Sequence, residues 1–175
     1  MGCESSSSSV TATMDNVMEA RRLTIIKEIL PDGTMYEGQI KDGKWDGHGK
    51  LTWPDRCHYE GEFKNGRQHG HGMLTYPDAK VYVGNFKNGK EHGKGELSLP
   101  DGTNYKGDFI GGKQEGQGVM TWADGQTYEG DFSDGKEHGF GILRKKNGVI
   151  FEGTFKERSL HGTITCRDRK GHKFT

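Results

Sequence analysis

Tyr36, Tyr59, Tyr82, Tyr105 and Tyr128 stand 23 residues apart, and Phe151 and Phe174 continue the series without a slip. A period this regular dictates a stack of near-identical units, each burying the apolar face of its neighbours. It also argues against an active site inside any one unit, because each nearly copies the next. Composition removes the thick globule: 30% of the chain is hydrophobic, and 29 of its 175 residues are Gly. Such a chain is either disordered or a thin repeat array, and the strict period selects the array.

Within a unit the pattern alternates, which is strand periodicity. Tyr59, Gly61 and Phe63 share one face, as do Gly70, Gly72, Leu74 and Tyr76. Asn65-Gly66 between them is a strong signal for a two-residue type I′ hairpin, and Asp42-Gly43, Asn88-Gly89, Gly111-Gly112 and Asp134-Gly135 fill the same slot. That loop pairs Lys64 with Arg67, which puts Tyr59 opposite Gly72 and Gly61 opposite Gly70. Large rings then lie over bare backbone, a known rescue of glycine in sheets.

Parity sets the second turn. Leu51 and Tyr59 point to one face only if the loop between their strands holds an odd number of residues; Pro54, Asp55 and Arg56 make three. A three-residue hairpin ends on a left-handed residue, ideally Gly, and Arg56 and Ala79 break that preference. The fold class read from these turns is an all-β, single-layer antiparallel meander of about six hairpin repeats plus a terminal half repeat. Some 13 strands at about 4.8 Å each give a length of roughly 60 Å.

The N-terminus departs from the beat. It reads MGCESS: Gly2 follows the initiator Met and Ser6 stands where the myristoylation signal requires it. Cys3 beside Gly2 is a candidate palmitoylation site, and two acyl chains give a stable anchor where one does not. Residues 1–13 read as a disordered acylated tail, residues 14–30 as a short helix over 14–22 and a leading strand, and residues 31–175 as the repeat array. No apolar run reaches the roughly 20 residues of a spanning helix. Lys+Arg and Asp+Glu balance at 25 each, so no counterion-release argument for nucleic acid arises. Three cysteines are too few for a disulfide framework.

The recurring YxGxF, turn Gly, GxGxL and DG positions resemble the MORN repeat (membrane occupation and recognition nexus). The likeness runs over six repeats and a terminal half. Repeat six departs from it, with Arg158 at a turn Gly and Ile164 at the second Gly of the pair. The resemblance implies an elongated single-layer sheet that acts as a scaffold. It also implies settings at membranes, in cilia or in cytoskeletal assemblies, protein partners, self-association and phospholipid binding.

Several constellations carry expectations. GxxxxGK stretches such as Gly84–Lys90 lack the Ser/Thr that a phosphate loop places on magnesium, and a hairpin follows them rather than a helix. His69, His92, His138 and His161 form one column, but equivalents about 10 Å apart cannot share a metal. No catalytic, metal or cofactor site is therefore expected. Two surfaces remain. Trp53, Tyr76, Phe86, Phe109, Trp122 and Phe132 lie on an aromatic face with no second sheet to cover it, so they are candidate partner-binding residues for an amphipathic helix or another MORN array. Arg144, Lys145, Lys146, Arg167, Arg169 and Lys170 form a basic cluster, either for anionic phospholipid or for edge protection.

These features point to a membrane-associated scaffold on the cytoplasmic face of a plasma membrane or ciliary/cytoskeletal structure. It would be tethered through Gly2 and Cys3 and would recruit a partner protein. Open alternatives are a soluble cytoskeletal or ciliary scaffold, a regulatory lipid-binding module related to MORN-containing enzymes, and a homodimer.

Overall fold

The computed structural model describes residues 24–174. Fourteen strands form one antiparallel sheet in strict chain order, with no crossover. An edge strand, β1 (Thr24–Ile29), comes first, and six hairpins follow it. Each joins a seven-residue strand to a nine-residue strand, as in β2 (Met35–Lys41) with β3 (Lys44–Thr52) and β4 (His58–Lys64) with β5 (Arg67–Thr75). The last hairpin ends in β13 (Ser159–Arg167), and β14 (Lys173–Phe174) closes the order. The expected tail and short helix, with Gly2 and Cys3, lie outside the described residues.

Both turns follow from local chemistry. Asn65 and Gly66 have φ of 51° and 78°, the double left-handed signature of a type I′ turn. Glu157 and Arg158 adopt the same shape at 47° and 70° with no glycine to relieve it. In the three-residue turn the Trp53 N–H donates to the Cys57 carbonyl at 2.9 Å and the Arg56 N–H to the Trp53 carbonyl at 3.0 Å. The Asp55 carboxylate accepts the Cys57 N–H at 2.9 Å. Arg56 and Ala79 sit at φ 73° and 65°, in the left-handed region where the other repeats place glycine.

The register corrects one expectation. Lys64 pairs with Arg67, but Tyr59 pairs with Leu74 rather than Gly72, and Gly61 with Gly72 rather than Gly70. Between Gly61 and Phe63 the facing strand carries two extra residues, a bulge that keeps the parity of the faces. Gly70, inside it, has φ 59°. The same shift recurs in every hairpin from β2 onward.

Two rows thus run across the sheet. Tyrosines alternate with Leu51, Leu74, Leu97, Met120 and Leu143, and beside them glycine faces glycine from Gly38 to Gly153. Each tyrosine leans along its strand onto that bare stripe. A Cβ on Gly72 would meet Tyr59 Cε2 at 2.5 Å, and one on Gly61 would meet the Tyr59 hydroxyl at 2.7 Å. The hydroxyl donates to the Glu62 carbonyl at 2.8 Å, so the buried ring leaves no polar atom unsatisfied. The ring-over-glycine expectation therefore holds, reached diagonally. At the end of the row Ile164 fills the glycine slot facing Gly153.

Candidate functional site

Five phenylalanines lock the tyrosines in place. Phe86 meets Tyr59 and Tyr82 edge-on at 4.8 and 5.1 Å, and Phe109 and Phe132 repeat the motif one and two units further on. The result is a continuous herringbone from Tyr36 to Phe155, which is the core of a one-layer protein. It corrects part of the predicted binding surface. Phe86, Phe109 and Phe132 are each only 3% exposed, because their tyrosine neighbours close over both edges. They support the aromatic face without presenting it.

Trp53, Tyr76 and Trp122 do reach the surface, half-buried, at the mouths of the three-residue turns. Tyr76 is partly satisfied within the chain: its hydroxyl donates to Glu91 Oε1 at 2.6 Å, and Lys80 Nζ lies 3.6 Å above its ring centroid. Burial pushes the Tyr76 hydroxyl well above its ordinary pKa, and the Glu91 carboxylate adds to the rise. Trp122 instead lines an open depression of about 590 Å³, with Met120, Leu143 and Phe155 as apolar neighbours and Glu137 and Lys145 as charged ones.

Glu137 was not singled out from the sequence as a binding residue. It belongs to a column on the aromatic face, Trp45, Gln68, Glu91, Gln114 and Glu137, polar in all but its first member and two residues after each tight turn's last residue. Its backbone role is constant: the second turn residue of the next hairpin donates to its carbonyl, as Gly66 does to Trp45 at 2.8 Å and Arg158 to Glu137 at 3.0 Å. Phe63 pairs with Gln68, and Phe86 with Glu91, so parity alone places this column on the aromatic side.

The basic cluster divides. Arg144 and Arg167 face the polar side and pair with Glu129 and Glu152 at 3.2 and 3.3 Å. Arg169 packs against the turn at Gly148, and Lys145, Lys146, Arg169 and Lys170 are exposed. The two successive turns therefore stand side by side with four outward cations. The histidine column contributes carbonyls: Tyr59 and Tyr128 hydroxyls reach the His69 and His138 carbonyls at 3.3 and 3.0 Å. Carboxylates of the polar face clip the bulges, with Glu62 accepting the His71 N–H at 2.8 Å and Asp131 that of Phe140 at 2.9 Å. Among the described residues no three His, Cys, Asp or Glu side chains group to hold a metal, and no helix is long and apolar enough to cross a membrane.

A bulged β-hairpin array whose rings cover a glycine stripe defines a β-hairpin repeat protein. The MORN repeat model matches residues 36–58, 59–79, 82–104, 105–127 and 128–150, and the chain belongs to the MORN repeat family. No curated protein matches the chain. Among solved structures it is similar in fold to the TCP domain of Drosophila melanogaster SAS-4 (dCPAP) in complex with a proline-rich motif of Ana2 (dSTIL). That likeness has a TM-score of 0.54 at 14% identity, over 99% of this chain and 95% of that one. The TCP10 domain of Danio rerio CPAP in complex with a peptide of STIL aligns with TM-score 0.42 and 16% identity, over 87% and 98%.

Proposed function

We propose that this protein is a non-enzymatic scaffold that holds a partner protein's peptide along its aromatic face. Acylation at Gly2 and Cys3 would tether it to the cytoplasmic leaflet of a membrane. The observation that carries the reading is the depression at Trp122, where a large indole stands half-exposed over a rigid herringbone floor. Rigid aromatics at an open concavity give contact area at low entropic cost. The fold relative SAS-4 holds a proline-rich motif of Ana2, which supports a peptide as the occupant. The four outward cations of the last two turns would add attraction to anionic lipid, up to about 1 kcal/mol each.

A photo-crosslinking residue at Trp122 tests the partner reading in cells. Peptide adducts at Trp122, absent when the same residue replaces Lys106 on the polar face, are the expected result. Equal labelling at both positions would refute it. Metabolic labelling with a myristate analogue tests the tether. Loss of label and release to the soluble fraction in Gly2→Ala support it; an unlabelled wild type leaves a soluble cytoskeletal or ciliary scaffold.

A further inference from the structure

We infer that the depression at Trp122 is a receptor for a guanidinium group, so that the partner peptide enters it with an arginine side chain. The inference rests on the partner-binding reading above and deepens it. Its basis is a comparison of one slot in two repeats. Tyr76 and Glu91 stand 15 residues apart, and the Tyr76 hydroxyl donates to the Glu91 carboxylate at 2.6 Å. Trp122 and Glu137 occupy the same two columns two repeats later. The phenol is gone there, and the carboxylate has lost its donor.

Glu137 is 8% exposed, yet its Oε2 has no hydrogen-bond partner among the described residues. Arg158 Nε forms an ion pair with that oxygen at 3.7 Å, too long for a hydrogen bond, and the Arg158 side chain is 68% exposed. A buried carboxylate oxygen without a donor costs free energy until something supplies one. The depression in front of it is roomy, and its wall is an indole. Asp101, Asp124 and Glu137 line it against Lys145 and Arg158, so its own charge also favours a cation.

A planar guanidinium fits those three features together. It donates to a carboxylate in a fixed fork, stacks on an indole face, and is weakly hydrated enough to enter. An aliphatic side chain would leave Glu137 unsatisfied, and an anion would meet it directly. Arg158 then acts as an internal competitor. It is held in a left-handed turn conformation, φ 70°, where glycine is the ordinary choice.

The test uses the full chain and N-acetyl-arginine amide as probe, followed by the Trp122 indole N–H in NMR, with Trp122→Phe for assignment. Saturable shifts at millimolar probe, with N-acetyl-leucine amide at least roughly tenfold weaker, are expected for a charge-assisted contact. Glu137→Gln, which keeps the shape, lowers arginine affinity by about tenfold. Arg158→Gly keeps the turn and raises it. Equal binding of the two amides, an unchanged Glu137→Gln, or weaker binding in Arg158→Gly would overturn the inference. Arginine binding without peptide crosslinks would remove the scaffold reading and keep the receptor; crosslinks without arginine binding would do the reverse.

Discussion

Adding one methyl at Gly72 tests the ring-over-glycine architecture where it is tightest. Gly72 lies outside the left-handed region, so alanine meets no backbone objection there. On unfolded-state entropy alone it would stabilise by about 0.4–1 kcal/mol. The packing opposes this. The new Cβ would stand 2.5 and 2.6 Å from Tyr59 Cε2 and Cζ, where carbon contacts prefer about 3.5–4.0 Å, so the ring must shift by about 1 Å. It has nowhere to go: Phe63 and Phe86 hold its edges at 5.1 and 4.8 Å, and its hydroxyl is bonded to the Glu62 carbonyl. Overpacking costs about 1–3 kcal/mol, and a lost hydrogen bond adds about 1. After the entropic offset, Gly72→Ala should therefore destabilise by about 2 kcal/mol. Gly66→Ala, with open space around its Cβ and only its φ of 78° against it, should cost about 1. Urea unfolding followed by tryptophan fluorescence reads both. Tyr59→Leu should recover part of the Gly72→Ala loss in a double-mutant cycle. A Gly72→Ala protein no less stable than Gly66→Ala would refute the packing argument.

Ala79→Gly should raise stability by about 1 kcal/mol, since it relieves a left-handed alanine; a drop in urea midpoint would contradict the turn geometry. Burial pushes the Tyr36 and Tyr82 hydroxyls up to about 12, and Tyr59, Tyr105 and Tyr128 higher still. Unfolded tyrosines ionise near 10, so this stabilisation is full below pH 10 and is lost as pH rises through the folded values. Each tyrosine should steepen the fall by up to about 1.4 kcal/mol per pH unit. Equal urea midpoints at pH 9 and 11.5 would exclude it, and Tyr82→Phe should lessen the slope. Glu62→Ala should cost about 1 kcal/mol by freeing the His71 N–H at the bulge, whereas Glu60→Ala on the open polar face should stay within about 0.5. Hydrogen exchange at His71 distinguishes a lost clip from a general loosening.

Hairpins, both turn types, strand order and the shared face of tyrosine and glycine were legible because each follows from a short-range rule: a dipeptide, a parity or a period of two. The bulge was not. Two extra residues leave parity intact, so the alternation that revealed the strands could not reveal the slip. Its only local mark is the glycine column through Gly70, which also reads as an ordinary sheet glycine. Phe86, Phe109 and Phe132 were misplaced for a related reason. A one-layer sheet looks uncovered in sequence, but large rings over a glycine stripe bury each other. Glu137 was within reach. Once Lys64 is paired with Arg67, the next pair puts Gln68 beside Phe63, and a polar column on an aromatic face is an anomaly to be explained.

That anomaly separates what the repeats share from what they differ in. Tyrosine, glycine and phenylalanine recur because the herringbone tolerates little else. Two columns on the same face are free of that constraint, and they stand 15 residues apart: Trp53 with Gln68, Tyr76 with Glu91, Leu99 with Gln114, Trp122 with Glu137. Only the Tyr76–Glu91 pair closes on itself through a hydrogen bond between the two side chains. The frame thus offers a row of equivalent slots along a rigid floor, each with its own wall and polar group. A partner that matches several slots at once gains register as well as affinity, since a slip of one repeat would carry a cationic side chain from Trp122 and Glu137 to the apolar wall of Leu99.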